Sequence, residues 1–517
     1  MTGLLLIAGV MLGAMDAPAS GYLAPGLEST GGMRHLCLLY HGQARRGPWT
    51  RETLRPYVAC VDAEGKPTDW LFDSFLFIEF ATDSGRQLHY FAKDKPQPDI
   101  TDWQWLADAW FRPESGVAGL EACVAETGQT LGQPDHKVGV MITLPCPPNE
   151  LTQFGALSGT DRALDFSKEE DRQAALRWYI DTVCRRFNDG HYAHLNLLGF
   201  YWTGESISEK ESALVRWTSG SLHGQELKHY WVPYFTGQGA GEWRALGFDA
   251  MMLQPNYFFD NDGGIGRLGR AAQRAQRFGC GVEMEFDGRA LSSDAHAQRF
   301  WDYLDAGVAY GWMRNSLVGW YEGGGALGAF LKQPEKHRPM YDAVCQFVKG
   351  TYTPHQPERL SALVAPPVRC ADNLALASKG AKVTGALDDG KPELAPERMI
   401  DGDADNYSGN SGITWFGIPG SVTVELPQPA TVARTQMLLF DLDDRYYSYR
   451  IDTSVDGINW EPAMDKSTAE ARGWQVDQFT PRTAKYIRLT GVRNSTRQNL
   501  VQVIEFEVCG ETQRNGL

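Results

Sequence analysis

Eight short apolar runs recur between residues 33 and 324, and the stretches between them have the spacing of amphipathic helices. The runs occupy residues 33–42, 71–80, 137–147, 195–206, 227–235, 248–259, 280–288 and 316–324. Alternating strands and helices are typical of a parallel α/β fold, and eight such units favour a closed barrel over an open sheet. We therefore predict a (β/α)8 TIM-type barrel over residues 33–353, in which the first and fifth crossovers are short or loop-like.

The composition changes after the barrel. A Pro-rich linker covers residues 354–369, and residues 370–511 then show short alternating segments separated by turns. This pattern predicts an all-β sandwich or jelly roll. Cys370 and Cys509 flank that domain, and an oxidising compartment would allow them to join its two ends.

The first 20 residues indicate export. An apolar run from Leu4 to Met15 has the length of a signal-peptide core and is too short to span a bilayer. We therefore expect a secreted or periplasmic bacterial protein with no integral membrane segment. The excess of 64 acidic over 49 basic residues gives a formal charge of −15, which makes nucleic acid an unsuitable partner.

Carboxylates end two of the predicted barrel strands. Side chains alternate along a strand, which places Tyr201 and Glu205 of the fourth run and Glu283 and Glu285 of the seventh on the inner face. The C-terminal ends of barrel strands carry the reactive groups, so Glu205 and Glu285 should face each other across the mouth. Two such carboxyl groups suffice for hydrolysis of a glycosidic bond. Glu283 lies deeper and is expected to orient a neighbour, through Arg289 or Arg314.

Other polar and aromatic residues follow the ends of predicted strands and are candidates for contacts with a sugar. Tyr257 is predicted to hydrogen-bond a reactive carboxylate at the mouth, and Trp320 to form a platform for a sugar ring. The remaining candidates are Asn256, Glu322, Tyr40, His41, Glu79 and Tyr201. We find neither a dinucleotide-binding fingerprint nor clustered His ligands, so no cofactor is predicted for catalysis.

The positions of Glu205 and Glu285 resemble those in a large clan of retaining glycoside hydrolases. The resemblance implies that Glu205 is the general acid/base and Glu285 the nucleophile, with carboxyl groups roughly 5 to 5.5 Å apart. Members of that clan usually carry Asn immediately before the acid/base, where this chain has Gly204. Two alternatives stay open. One is an inverting hydrolase in which Glu285 or Glu322 activates water, and the other is a non-catalytic glycan-binding or cell-surface protein.

The motifs "LLYHG", "GFYWTGESI", "LQPNYFFD" and "GVEMEFDG", in this order, resemble a bacterial family known as domain of unknown function 4855. The similarity covers the barrel, residues 33–350. Such domains occur in bacteria that digest complex glycans, which implies an oligo- or polysaccharide as the partner of this chain.

The C-terminal segment resembles a coagulation factor 5/8 type C (discoidin) module, through stretches such as "NLALASKGAKVTG", "YRIDTSVDGINW" and "VIEFEVCGE". The resemblance implies a galactose-binding-like sandwich that binds carbohydrate at its loop tips. The aromatic candidates there are Trp415, Phe416, Tyr446 and Tyr447. Such modules often hold a structural Ca²⁺, for which Asp401, Asp403, Asp405 and Glu507 offer oxygen ligands.

Overall fold

The N-terminal region is a closed barrel of eight parallel strands, which confirms the predicted fold class. A computed structural model of the chain describes residues 21–510 except 90–95, 158, 160, 260–263, 364–365, 389, 408–410 and 444. The predicted signal segment, residues 1–20, lies outside the described residues, as do two positions of the predicted linker. The strands are β1 (His35–Tyr40), β2 (Ser74–Ile78), β3 (Val138–Leu144), β4 (Leu195–Trp202), β5 (Lys228–Trp231), β6 (Ala250–Leu253), β7 (Gly281–Glu285) and β8 (Val318–Tyr321).

Each strand pairs with its sequence neighbours, and β8 closes the barrel by pairing with β1 through His35–Val318, Leu36–Gly319 and Cys37–Trp320. The strands are buried on both faces, which explains why they appear in the sequence as continuous apolar runs. Because all eight strands are parallel, their C-terminal ends meet at one mouth.

Helices surround the strands. They are α1 (Arg51–Val58), α2 (Ile100–Ala109), α3 (Val117–Leu131), α4 (Glu169–Asp189), α5 (Glu209–His223), α6 (Gly266–Phe278), α7 (Asp294–Ala309), α8 (Trp312–Asn315), α9 (Ala326–Phe330) and α10 (Pro334–Val348). The first crossover holds the eight-residue α1 and a small hairpin, and the fifth holds only a 3-10 turn at Ala240–Glu242. These are the two crossovers for which short or loop-like helices were predicted. No helix in the described ranges combines the length and apolar character that a bilayer crossing needs.

The C-terminal domain is all-β, as predicted. Its strands are β9 (Lys382–Thr384), β10 (Thr414–Gly417), β11 (Gly420–Leu439), β12 (Tyr447–Ser454), β13 (Glu461–Ala471), β14 (Trp474–Asn494) and β15 (Leu500–Gly510). They pair antiparallel in the order β10-β15-β11-β14-β12-β13, with β9 on β11. Irregularities in the long β11 let it bend, so that residues from all seven strands enclose one core.

The barrel and the C-terminal domain share packing. Tyr407, Phe440 and Leu442 of the C-terminal domain belong to the same buried cluster as the barrel core. On the barrel side, the Arg274 guanidinium of α6 lies 4.6 Å from the centre of the Tyr407 ring. The two domains are therefore in direct contact through α6.

Cys370 and Cys509 form a disulfide that joins the two ends of the C-terminal domain across a sequence separation of 139 residues. A cross-link over so long a loop restricts the unfolded chain, so replacing both residues by Ser should lower the free energy of unfolding by about 2–4 kcal/mol. Urea unfolding measures the loss. Reductant should destabilise the wild type to the same extent and leave the double variant unaffected; a wild type that is indifferent to reductant would contradict the bond.

Candidate active site

The mouth of the barrel contains a pocket of about 290 Å³ into which three glutamates project. Glu283 and Glu285 come from β7, and Glu205 follows β4, as strand alternation predicted. The residues lining the pocket are Leu38, Tyr40, Ile78, Phe80, Tyr201, Glu205, Val232, Tyr234, Gln254, Asn256, Phe259, Glu283, Glu285 and Tyr321. The lining is acidic and aromatic and includes no Lys or Arg among the residues the structure describes.

Glu285 is buried and receives two hydrogen bonds on one carboxylate oxygen. The Tyr303 hydroxyl and the Asn256 backbone N–H both donate to Oε2. Asn256 has a φ of 54°, a conformation uncommon outside glycine, and this unusual backbone supports the bond from its N–H. Burial raises the pKa of Glu285, and the charge of Glu205 adds to the rise, whereas the bonds from Tyr303 and Asn256 oppose it.

Glu205 differs from Glu285 in exposure. Its side chain is exposed at the pocket mouth. The protein around the carboxyl group still limits its hydration, and this desolvation raises its pKa. A hydrogen bond with the Gln254 side chain partly offsets the rise. The two glutamates thus differ in solvent exposure and in hydrogen-bond partners within one pocket. Such differences in environment allow two carboxyl groups to take separate roles.

Glu283 lies one layer deeper and is only 2% exposed. Neither of the arginines expected to contact it does so, because Arg289 pairs with Asp287 and Arg314 donates to the Gly350 carbonyl. Burial, together with the charges of Glu285 and Glu205, raises the pKa of Glu283 well above its usual range. Glu283 therefore keeps its proton to higher pH than an exposed glutamate does.

The residue that supports Glu285 is Tyr303, and the prediction of Tyr257 for this role was wrong. The Tyr257 hydroxyl instead donates to Asp302 at 2.7 Å. Tyr303 lies on α7, and the pattern of strand ends gives no signal for a residue that reaches the pocket from a helix. Asn256, in contrast, lines the pocket as predicted, and its side-chain amide donates to the Tyr234 hydroxyl.

The predictions at the end of β8 were also wrong. Trp320 is fully buried and donates to His35, so it offers no platform to a sugar. The carboxylate of Glu322 accepts hydrogen bonds from the Tyr57 hydroxyl and the Gly325 N–H, away from the pocket. The intervening Tyr321 lines the pocket instead.

Of the candidates after β1 and β2, the structure brings Tyr40 to the pocket, together with Tyr201 from β4. His41 is buried beside Phe77, and Glu79 forms an ion pair with Arg46 at 2.6 Å. Neither His41 nor Glu79 lines the pocket.

Two of the four aromatic candidates in the C-terminal domain are buried. Phe416 and Tyr447 belong to its core, which excludes both from surface binding. Trp415 is partly exposed but packs against the barrel cluster. Tyr446 is partly exposed, and the guanidinium groups of Arg472 and Arg493 lie 5.6 and 5.2 Å from its ring centre.

The predicted calcium ligands are not brought together. Asp405 pairs with Arg277 of α6 at 2.5 Å, and Glu507 pairs with Arg369. Asp401 and Asp403 accept hydrogen bonds from the backbone of their own loop. In the described part of the chain, no group of three or more His, Cys, Asp or Glu side chains is placed to hold a metal ion. This acidic loop instead contacts the barrel.

The fold and the site define a class: a closed α/β barrel with a carboxylate-lined pocket at its mouth, followed by an all-β domain of the F5/8 type C kind. The family model "F5/8 type C domain" matches residues 382–506. The model "Domain of unknown function (DUF4855)" matches residues 35–346, well over half of the chain. The chain belongs to the DUF4855 family.

Other similarities are partial. The chain is 33% identical over 118 residues to BTB/POZ domain-containing protein 9 of Mus musculus, which is 23% of this chain and 19% of that protein. It is 32% identical over 171 residues to the Drosophila melanogaster protein of the same name, which is 33% of this chain and 22% of that protein. The chain thus spans about a fifth of the length of these curated relatives.

Two of the solved structures that match this chain each align with about a quarter of it. CpGH89CBM32-5 from Clostridium perfringens, in complex with GalNAc-beta-1,3-galactose, is 17% identical with a TM-score of 0.23, covering 27% of this chain and 100% of that one. Chitosan-binding module 1 from a chitosanase/glucanase of Paenibacillus sp. IK-5 is 28% identical with a TM-score of 0.21, covering 27% and 99%. The assignment of the C-terminal domain rests on the family model.

Proposed function

We propose that the protein is a retaining glycoside hydrolase, in which Glu205 is the general acid/base and Glu285 the nucleophile. The observation that carries the proposal is that an exposed and a buried glutamate, from the ends of β4 and β7, line one pocket at the barrel mouth. Retaining hydrolysis requires one carboxyl group that protonates the leaving oxygen and another that attacks the anomeric carbon.

The hydrogen bonds assign the two roles. Tyr303 and Asn256 both donate to Oε2 of Glu285, which stabilises its ionised form and leaves Oε1 for attack. Glu205 has the Gln254 amide as its partner and lies nearer solvent, where a leaving group departs and water enters. Each negative charge disfavours the other, so the pocket favours one proton shared between the two carboxyl groups at neutral pH.

The catalytic sequence then has two steps. Glu205 donates its proton to the glycosidic oxygen while Oε1 of Glu285 bonds to the anomeric carbon, and the aglycone leaves. Glu205, now ionised, takes a proton from water. The resulting hydroxide attacks the anomeric carbon, the bond to Glu285 breaks, and the sugar is released with its original configuration.

The structure also bears on the non-catalytic alternative. A salt-bridged Glu285 or a mouth filled by side chains would favour a protein that only binds glycans. Glu285 makes no ion pair with any described residue, and the pocket is open to solvent at Glu205. These observations favour a reactive site.

The C-terminal domain is proposed to hold the enzyme on a glycan, because F5/8 type C modules resemble those used by carbohydrate-active enzymes. The protein is further proposed to be exported. The apolar run Leu4–Met15 has the length of a signal-peptide core, which favours export. The Cys370–Cys509 disulfide suits an oxidising compartment outside the cytoplasm.

A glycan screen tests the function. The purified protein is incubated with a panel of oligo- and polysaccharides, and released sugar is measured beside the Glu205→Gln and Glu285→Gln variants. The proposal expects release by the wild type alone. Release that survives both substitutions would overturn the residue assignment, and a product of inverted configuration would favour the inverting alternative.

The support from Tyr303 is separately testable. Tyr303→Phe removes the hydroxyl that lowers the pKa of Glu285, so that pKa should rise further and the acid limb of the kcat/KM profile should move to higher pH. We expect kcat to fall by about 10-fold, the value of one hydrogen bond to a charged group.

Tyr257→Phe is the matched control, since the Tyr257 hydroxyl bonds to Asp302 and lies outside the pocket lining. Its pH profile should overlay that of the wild type. If Tyr303→Phe also leaves the acid limb in place, Tyr303 does not position Glu285.

A further inference from the structure

Glu283 presents an unused polar group at the base of the pocket. Its side chain is 2% exposed, and its Oε1 has no hydrogen-bond partner among the described residues. The residue beside it on β8 is Gly319, which has no side chain to cover the carboxyl group. A buried polar atom without a partner is costly. Because Glu283 also lines the pocket, its unpartnered carboxyl group indicates a group that a ligand satisfies.

The described titratable groups that interact directly with Glu283 are carboxyl groups and tyrosines. Glu285 lies on its own strand and Glu205 follows β4; four tyrosines also interact with it, namely Tyr40, Tyr201, Tyr303 and Tyr321. Two arginines lie close behind the lining: Arg46, 4.5 Å from the centre of the Tyr40 ring, and Arg267, which interacts with Glu285. Neither arginine lines the pocket, so among the residues the structure describes no cation faces Glu283 from within it.

We propose that Glu283 is a specificity residue whose neutral carboxyl group hydrogen-bonds an uncharged polar substituent of a sugar ring seated in the pocket. This inference rests on the proposed function and names its substrate class. A protonated carboxyl group both donates and accepts, which matches a hydroxyl or an acetamido group. With Glu283 uncharged and one proton shared by Glu205 and Glu285, the pocket still carries negative charge, and no described cation faces it. That charge disfavours uronic acids and other anionic sugars.

The size of the pocket agrees with one sugar ring. A volume of about 290 Å³ lies at the small end of ligand sites. Tyrosine and phenylalanine rings form much of the wall and suit the apolar faces of a pyranose. The inferred ligand is therefore a single neutral sugar ring.

The test compares two substitutions by calorimetric binding of monosaccharides, which needs no hydrolysis. The probes are galactose, glucose, their N-acetylated 2-amino forms, glucosamine and glucuronic acid. Glu283→Gln keeps a donor and an acceptor without charge, whereas Glu283→Met keeps the length and loses both. For a neutral sugar that the wild type binds, we expect the Gln variant to stay within about 3-fold in Kd and the Met variant to weaken by 10-fold or more, as loss of a buried hydrogen bond implies.

Other outcomes overturn the proposal. They are equal loss in both variants, no loss in the Met variant, selective binding of glucosamine or glucuronic acid, and no binding of any neutral sugar. Failure of hydrolysis in the glycan screen with these binding results intact would reject the glycosidase and retain Glu283 as a binding residue.

Stability measurements report the protonation of Glu283 without any ligand. The folded protein keeps the proton at a pH where the unfolded chain releases it, so this glutamate destabilises the fold increasingly as pH rises above about 4.3. The Tm of Glu283→Gln relative to wild type should therefore increase from pH 4 to pH 7. A difference that is flat with pH would show that Glu283 is not held neutral.

Discussion

Replacing Glu285 by Gln is expected to lower kcat by roughly 10⁴-fold or more, because the proposed mechanism assigns the covalent bond to the anomeric carbon to this carboxylate alone. The amide is the same size as the carboxyl group, and its oxygen can still accept from the Tyr303 hydroxyl and the Asn256 N–H. The fold should therefore be retained. Initial rates on a glycan that the wild type hydrolyses, with circular dichroism and Tm as controls, measure both effects.

Chemical rescue separates a missing nucleophile from a damaged site. Glu285→Gly leaves a cavity that azide can enter, and azide should restore turnover of an activated aryl glycoside with formation of the glycosyl azide of inverted configuration. Retained activity in Glu285→Gln, or azide rescue that gives retained configuration, would contradict the assignment.

Replacing Glu205 by Gln is expected to have the second largest effect, and the effect should depend on the leaving group. Loss of general acid catalysis should lower kcat/KM by about 10²- to 10⁴-fold for a natural glycan, whose leaving oxygen needs a proton. Dinitrophenolate leaves without being protonated. In a dinitrophenyl glycoside the bond between this group and the sugar should therefore break at close to the wild-type rate. Pre-steady-state release of dinitrophenol measures this step.

The same variant should lose the basic limb of the pH profile, because that limb reports deprotonation of Glu205, whose pKa is raised by its surroundings. A uniform loss across all leaving groups would contradict the acid/base role. Glu79→Gln is a matched control: it also follows a barrel strand, but it pairs with Arg46 outside the pocket lining.

The barrel and the placement of the glutamates at its mouth were predictable because both depend on local patterns. Eight buried parallel strands leave eight apolar runs in the sequence, and a strand that carries Glu283 and Glu285 at alternate positions can only place both on one face. The sequence also predicted the all-β domain, since its short alternating segments reflect antiparallel strands with one buried face.

The errors have common physical causes. Strands in this barrel are buried on both faces, so the apolar residues of β8 do not reveal which of them points inward, and Trp320 was chosen where Tyr321 lines the pocket. Tyr303 reaches Glu285 from a helix, a direction that strand alternation does not include. For the acidic loop, calcium binding stays a prediction from its alternating aspartates. The ion pair between Asp405 and Arg277 of α6 could not be foreseen, because the two residues are distant in sequence.

The covalent intermediate is the central claim, and mass spectrometry tests it directly. The wild type is incubated with 2-deoxy-2-fluoro dinitrophenyl glycosides of neutral sugars, digested, and searched for a peptide that carries the fluorosugar. The account predicts a label on Glu285 that is absent from Glu285→Gln. A label on another residue, or turnover of the parent glycoside with no label at all, would contradict it.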